Sequence, residues 1–478
     1  MPFDEQHGVD LRPVRAYATA AMMNERLSNP ATYRQPSISQ RRAAAGRERT
    51  LASSSVAIVF IAWVVTVLLH EVNVGGHWDF VTVSTWLLIA AWVAAFTLGG
   101  ALGTQAGARS TSENRSPATE TIGKWMLILC GLTIVGVVLF VFDFAILRGY
   151  GFTTAAATIR LEEVQAAVGG TTTSSPISGV GRLFIPAFMS ACVLFAMFRE
   201  RLAQPITLVF YVTVVLTFTE QFLFEGGRWF VTTTVVAVLL TLVLRRGASN
   251  QKSALVVRRL PILRLIAVAG LLLSFFAYVF VERVVQRSDY FATAYMQLAS
   301  SYRLTINYDQ LSWFEGPLGG LWFSICMLWL YATQGFNELD LILQQRYLEH
   351  AYGLYQVPHI GQVVLLLTGL DIRYDVLANL PTYGSYATFY GHSYIDFGNM
   401  GSIVFAFVLG YFMSRAVRGF AAGRLSMLSM SAPALVTLSI FSPIISLVPT
   451  LWPALVWLAI TGTALGRSAA RVQRPRTA

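Results

Sequence analysis

An all-α, polytopic integral membrane bundle is the fold this sequence predicts, and three observations predict it. The chain is 55% hydrophobic and 13% charged with mean hydropathy +0.56, about half the charged fraction of an ordinary soluble domain. Apolar runs of about twenty residues, the length a helix needs to cross hydrocarbon, recur along most of it. They are continuous rather than alternating, which excludes the strands of a membrane barrel. Third, 26 of the 35 Lys and Arg fall in segments assigned to one side, whereas 17 of the 25 acids fall elsewhere. That asymmetry is the positive-inside signature. The net charge of +10 therefore reports topology and not nucleic-acid binding.

Residues 1–50 are rich in Arg, Ala, Ser and Pro and lack the apolar core of a signal peptide, so they read as a loosely ordered basic cytoplasmic arm with no cleaved leader. Seven spans follow within 51–281, over 51–69, 81–102, 125–147, 182–198, 205–224, 229–244 and 265–281. Their external loops are 70–80, 148–180 (with a short surface helix over 154–168) and the four-residue turn Glu225-Gly226-Gly227-Arg228. The basic loops 104–124, 199–204 and 245–264 return on the cytoplasmic side.

A large external region, 282–400, comes next. Two apolar pieces in it, 318–331 and 360–370, are short for crossing and suit re-entrant or interfacial segments. Between them, 341–355 mixes charge and hydrophobe like a helix lying on a membrane surface. Spans over 402–414, 428–448 and 451–465 complete the region 401–466, and 467–478 is a basic cytoplasmic tail. The sum is ten transmembrane helices, or twelve if both short pieces cross, with N- and C-termini cytoplasmic either way. No internal repeat of the transporter kind is visible. Cys130, Cys192 and Cys326 all lie in apolar runs and read as small core residues, with no disulfide or metal spacing.

Walker A, dinucleotide, zinc-protease and nucleophile-elbow motifs are absent. Function is therefore sought among polar groups that the bilayer makes costly. Arg228 follows two glycines at the mouth of the tightest external hairpin. Its guanidinium suits phosphate oxygens; pairing with Glu225 or Glu220, or snorkelling to the interface, accounts for it equally. Arg148, Arg160, Arg182, Arg303 and Arg373 are further external cations, and Asp143 either pairs with Arg148 or a neighbouring helix or acts directly. The segment 383–401 combines four tyrosines, four glycines, His392 and Asp396 just before a span. Aromatic faces beside hydroxyl and carboxylate groups suit a sugar cleft, and His392 suits a general base at neutral pH. For the tyrosines alone, an interfacial belt with glycine-mediated packing explains the pattern better.

Gly226-Gly227-Arg228 opening a span, Tyr331-Ala-Thr-Gln-Gly335 after a short apolar piece, and Asp396-Phe-Gly-Asn-Met-Gly401 opening a late span resemble the bacterial oligosaccharide repeat-unit polymerases, the O-antigen polymerase (Wzy-type) group. The resemblance covers about 125–418. Arg373 and Gly384 also match the family's pairing of an external Arg and Gly with ten residues between them, but neither Arg148 nor Arg160 supplies such a match in the earlier loop. The resemblance implies a GT-C-like bundle in the cytoplasmic (inner) membrane of a bacterium, acting on its external, periplasmic face. It implies a metal-independent, inverting glycosyltransferase without cofactor, whose donor and acceptor are polyprenyl-diphosphate-linked oligosaccharides. On that reading His392 or Asp396 is the catalytic base, and Arg228, Arg303, Arg373 and Arg148 bind the diphosphate. Tyr386, Tyr390, Tyr394 and Tyr331 contact glycan; a flippase and a chain-length regulator are the expected partners, and nucleic acid is not one. An O-antigen ligase shares the same chemistry, and a lipid-glycan transporter shares the topology.

Overall fold

The computed structural model describes residues 38–78, 81–106, 117–150, 175–221, 228–248, 290–345, 350–357 and 388–471, together with Ile360, Thr368, Val376 and Leu380. Two compact units are defined, Met1–Gly46 and Arg47–Ala478. Of the first, the described part is the opening of helix α1; everything below concerns the second.

Described residues are overwhelmingly helical. The order is α1 (Ile38–His70), strand β1 (Gly76–His77), α2 (Val83–Gln105), α3 (Thr119–Phe142) with a π-helical turn at Asp143–Leu147, α4 (Pro176–Phe184), α5 (Ala187–Phe198), α6 (Gln204–Glu220) and α7 (Arg228–Ala248). Next are α8 (Phe291–Ser301), strand β2 (Thr305–Ile306), a 3-10 turn (Tyr308–Phe314), α9 (Gly319–Gln344), α10 (Phe389–Ala421), α11 (Met427–Met430), α12 (Ala432–Ile440) and α13 (Val448–Arg471). The two strands pair antiparallel, Gly76 opposite Ile306, and tie the α1–α2 connection to the segment before α9. Among the described residues, six helices are long and apolar enough to cross a membrane, and Gln204–Glu220 and Trp229–Arg245 are shorter apolar helices. Large apolar side chains such as Leu68, Leu87, Val138, Leu208 and Val404 face outward, the arrangement expected where the solvent is lipid. This is an all-α, multi-pass membrane protein.

The bundle is held most closely where α2 meets α10. Gly99 and Gly103 on α2 face the Phe407 and Tyr411 carbonyls, and Gly410 on α10 faces the Phe96 carbonyl; a Cβ at any of the three would overlap backbone. Gly99 and Gly103, and Gly410 and Ser414, are each four apart, so two small-xxx-small stripes face one another and the backbones touch. Indole N–H groups add polar staples: Trp92 Nε1 donates to Ser402 Oγ (2.8 Å) and Trp63 Nε1 to Ser442 Oγ (2.9 Å). In lipid an unpaired indole would stay desolvated, so each staple removes a cost as well as adding a bond.

One end of the bundle is basic. Arg418 Nη1 donates to the Thr104 and Ala106 carbonyls, Arg245 Nη1 to the Ala196 carbonyl, and Thr121 bonds Ser468; these contacts bring together the ends of α2, α3, α5, α7, α10 and α13. Arg47, Arg49, Lys124, Arg199, Arg201, Arg415, Arg424 and Arg467 belong to the same helix ends. The opposite end is aromatic and carries Arg148, Arg182 and Arg303.

Several sequence expectations change. The apolar piece 318–331 is the first half of a continuous 26-residue helix, α9, about 39 Å long. Hydropathy ended it early because Thr333, Gln334, Asn337, Glu338 and Asp340 are polar, yet all five are buried. Among the described residues of 341–355 no separate surface helix is seen: α9 ends at Gln344, and 352–356 is a turn. The span over 428–448 is broken into α11 and α12, followed by turns at 441–444; Pro433 starts α12 and Pro443 stops it. The span over 182–198 is bent at Pro186 between α4 and α5, and that over 402–414 extends to Phe389–Ala421. The expected span 265–281, the surface helix 154–168 and nearly all of 360–370 lie outside the described residues. Cys130, Cys192 and Cys326 are buried.

Gly410→Leu should abolish the α2–α10 contact and yield aggregated or unfolded protein on size exclusion in detergent. Gly131→Ala, where nothing lies within 4 Å of the new Cβ, should keep or raise thermal stability, by at most about 1 kcal/mol from helix propensity.

Candidate functional site

The unusual segment before the late span forms the first turns of α10. Thr388 caps it, its hydroxyl accepting from the Gly391 N–H at 3.1 Å. At Gly398 the backbone leaves helical geometry (φ 68°, ψ −171°). That left-handed φ is costly for any residue with a Cβ, and a Cβ there would also come 2.9 Å from His350 Nε2. The turn is sharp: Phe405 touches both Phe389 (5.6 Å between centroids) and Phe397 (6.0 Å), so Phe389–Phe397 folds back beside the helix that follows.

This piece begins at membrane depth. Tyr390 lies against Trp63 (5.5 Å, 22°) and Trp92 (5.3 Å, 38°). Trp63 is seven residues inside the end of α1 and Trp92 nine inside the start of α2, so Tyr390 is roughly 10–14 Å below those helix ends. The Phe389 N–H donates to the Ser442 carbonyl at 2.9 Å, which anchors the re-entrant tip on the broken segment between α12 and α13.

Asp396 organises the rest. Its Oδ1 accepts from the Gly353 and Tyr355 N–H groups (3.0 Å each) and its Oδ2 from the Gln356 N–H (3.2 Å). The Ile395 and Asp396 carbonyls accept from Ala351 and Tyr352 N–H. Gln356 reaches on, its amide donating to Ser393 Oγ (3.1 Å) and accepting from Ser446 Oγ (3.4 Å). A carboxylate has about four acceptor positions, and three are engaged here, so fully buried Asp396 clamps 351–357 onto α10. His392, half-buried and one turn earlier, meets the Tyr355 ring edge-on at 4.9 Å. His350 packs against Tyr394 (6.1 Å, 86°), and its Nδ1 lies 3.3 Å from the Ile395 carbonyl oxygen.

A second polar group adjoins through the aromatic wall. Trp329, Trp78, His70, Phe336, Trp63 and Tyr390 are in successive ring contact at 5.4–6.3 Å. His70 Nε2 lies 3.2 Å from Asn337 Oδ1, and Trp78 Nε1 donates to Thr333 Oγ1 at 2.8 Å. Asp340 Oδ1 accepts from the Thr82 N–H and from the Thr82 and Thr85 hydroxyls. The 333/337/340 stripe of α9 is thus paired to the α1–α2 connection. Gln334, fully buried on the neighbouring stripe, has no hydrogen-bond partner for either amide atom among the described residues.

The expected site residues separate into groups. His392, Asp396 and Tyr394 come together with Tyr355 and His350. Tyr390, expected as a sugar-contacting ring, is instead fully buried between two indoles, so its role is packing. Tyr331 is half-buried on α9 beside the second group. Arg148 is held at 2.8 Å by fully buried Asp143, lies over the Phe144 ring at 4.4 Å and meets Ser178 Oγ at 3.4 Å; Ser175 Oγ donates to the same carboxylate. The Asp143–Arg148 pairing is therefore the reading that applies. Arg303 sits exposed in a turn with φ 58°. Tyr386, Arg373 and the Arg228 side chain lie outside the described residues, although Arg228 opens α7. Among the described residues no group of three His, Cys, Asp or Glu could hold a metal.

Sequence reasoning missed Trp63, Trp92, Gln334, Asn337, Asp340 and His350. The one signal available was the run of polar residues interrupting an otherwise apolar α9. No family model matches this chain, and neither does any curated protein or solved structure.

Asp396→Ala should free the 350–357 segment and cost on the order of 3 kcal/mol, since hydrogen bonds to a charged group are each worth about 1.5–3 kcal/mol. Asp396→Asn keeps an oxygen for Gly353 and Tyr355 and loses only the Gln356 bond, so it should fall between. Thermal unfolding and limited proteolysis of the segment measure both.

Proposed function

We propose that this chain is a membrane glycosyltransferase that polymerises polyprenyl-diphosphate-linked oligosaccharide repeat units into a cell-surface polysaccharide, working at its aromatic end. The observation that carries the reading is the clamped re-entrant piece of α10: it holds half-buried His392 against Tyr355, beside a wall of packed aromatic rings. The polymerase-like motifs around Arg228, Tyr331 and Asp396 support it from the sequence.

In the reaction, the acceptor sugar hydroxyl attacks the anomeric carbon of the growing glycan. A new C–O bond forms as the bond from that carbon to the diphosphate breaks, and its electron pair leaves with the lipid diphosphate. The hydroxyl proton passes to His392, and attack opposite the leaving group inverts the anomeric centre. Asp396, its oxygens engaged by backbone, positions His392 and Tyr355 and leaves the base role to His392. Arg228, Arg303 and Arg373 are the cations proposed to stabilise the departing diphosphate; Arg148 already has Asp143. Tyr394, Tyr355, Tyr331 and Tyr386 supply ring and hydroxyl contacts to sugar. By the positive-inside rule the basic end and both termini are cytoplasmic, in a bacterial inner membrane.

A second reading, transport of the lipid-linked glycan, is favoured by one observation: the helix break around 441–447, on which the tip of the re-entrant piece rests, lies at membrane depth, as in carriers. Surface glycan from a deletion strain separates the two. Loss of the ladder with single repeat units outside supports the polymerase, and repeat units retained in the inner leaflet support transport. Polymer built on the carrier but missing from its final acceptor would select a ligase.

His392→Ala, expressed at normal level, should leave single repeat units; a normal ladder would sink the base assignment. For orientation, Glu315→Cys should react with a membrane-impermeant thiol reagent in intact cells, and Arg467→Cys only after permeabilisation. The three native cysteines are buried and contribute little background.

A further inference from the structure

At the basic end, away from the candidate site just described, lies a cavity of about 110 Å³ whose lining includes Arg415, Arg418, Arg424, Glu48, Ser426 and Ser429. Arg418 is its built component. The side chain is only 7% exposed, and Nη1 donates to the Thr104 and Ala106 carbonyls at 2.8 Å each. Those bonds cap the end of α2 and account for one nitrogen. Nε is buried with no hydrogen-bond partner among the described residues. Arg415 and Arg424 line the cavity with Arg418, Arg49 adds to the positive field on it, and among the described residues Glu48 is the acid acting on it, so positive charge is in excess there. Arg415 is steadied by Tyr411, donating to its hydroxyl at 3.0 Å with the guanidinium 5.7 Å from the ring centroid. The Ser426 and Ser429 hydroxyls, 2.8 Å apart, add polar lining.

Helix capping explains where Arg418 Nη1 goes; it does not explain two further guanidinium-bearing side chains around the same small space. A buried guanidinium is stable when its donors are met by an anion, and arginine forks match tetrahedral phosphate oxygens. The cavity suits a single phosphate group and is too small for a nucleoside or sugar beside it. We propose that this cavity is a phosphate-binding site on the basic face of the bundle, taking either the headgroup phosphate of an anionic phospholipid or a free phosphate group. Glu48 opposes the anion and sets its affinity. Because the cavity is bounded by the contact ends of α1, α2 and α10, a bound anion would also brace the α2–α10 pair.

The test uses the purified full chain. Thermal stability is measured in neutral detergent with inorganic phosphate against chloride at matched ionic strength, and in nanodiscs of phosphatidylglycerol against phosphatidylcholine. Phosphate-specific stabilisation in detergent identifies a free-phosphate site; stabilisation by phosphatidylglycerol alone identifies a headgroup site. In either arm the double variant Arg415→Gln/Arg424→Gln, which leaves the Arg418 cap intact, should weaken the midpoint concentration roughly tenfold, as expected for losing two charge-assisted contacts. Glu48→Gln should tighten it. Arg418→Met is a poor probe alone, because losing the cap can unfold the protein. No anion-specific shift in either arm, or a shift indifferent to both Arg415→Gln/Arg424→Gln and Glu48→Gln, overturns the proposal. The proposed glycan chemistry at the aromatic end plays no part in the readout.

Discussion

The backbone contact between α2 and α10 is the constraint on which the rest of the structure depends. Gly99, Gly103 and Gly410 remove the side chains that would otherwise separate the helices, so carbonyl oxygens of one lie against Cα atoms of the other. Dispersion at that range is substantial, and in lipid it takes the place of the hydrophobic drive that water would provide. The same register sets both ends of the protein. Toward the aromatic end it brings Trp92 to Ser402 and Tyr390, fixing where the re-entrant piece of α10 begins. Toward the basic end it brings Arg418 to the carbonyls closing α2, beside the arginine-lined cavity.

Polar satisfaction in a medium without water orders the remainder. Indole N–H groups of Trp63, Trp78, Trp92, Trp329 and Trp457 each reach an oxygen on a different helix or connection. Asp340 gathers donors from the start of α2, and Asp396 gathers three backbone N–H groups from one turn. Each carboxylate thereby sets the conformation of a segment distant in sequence. Asp396 is the more consequential because the segment it clamps carries Tyr355, the ring against which His392 rests. A histidine proposed as a base within a membrane needs such support: it must keep one orientation while its own polarity is poorly solvated.

Much of this was legible from residues alone. The spans up to α3 agree with the helices to within a few residues at most ends, because uninterrupted apolar runs with basic flanks leave hydropathy nothing to confuse. The concentration of His, Asp and Tyr before Gly401 marked a candidate segment, and its described part forms the kinked start of α10. What sequence reasoning misjudged is equally specific. It cut α9 at Tyr331 because hydropathy assigns a fixed cost to Gln, Asn, Glu and Asp. The actual cost of Asn337 or Asp340 depends on His70, Thr82 and Thr85, which lie more than 250 residues away. It merged α11 and α12 because an apolar run interrupted by proline still averages as a span. The resemblance made Tyr390 a ligand-facing ring, whereas it is fully buried between two indoles.

By itself, then, the sequence determined that the chain is helical, crosses a membrane many times and bears its excess arginine on one side. Those properties follow from residue-by-residue transfer energies and backbone hydrogen bonding, which are local. Only the tertiary structure decided that α10 breaks at Gly398, that Asp396 clamps rather than stands open, that Arg148 is paired, and that Arg418 faces a cavity. Each depends on which partner a polar group meets, and Trp63 with Ser442, 379 residues apart, shows that such partners are chosen by packing and not by proximity along the chain.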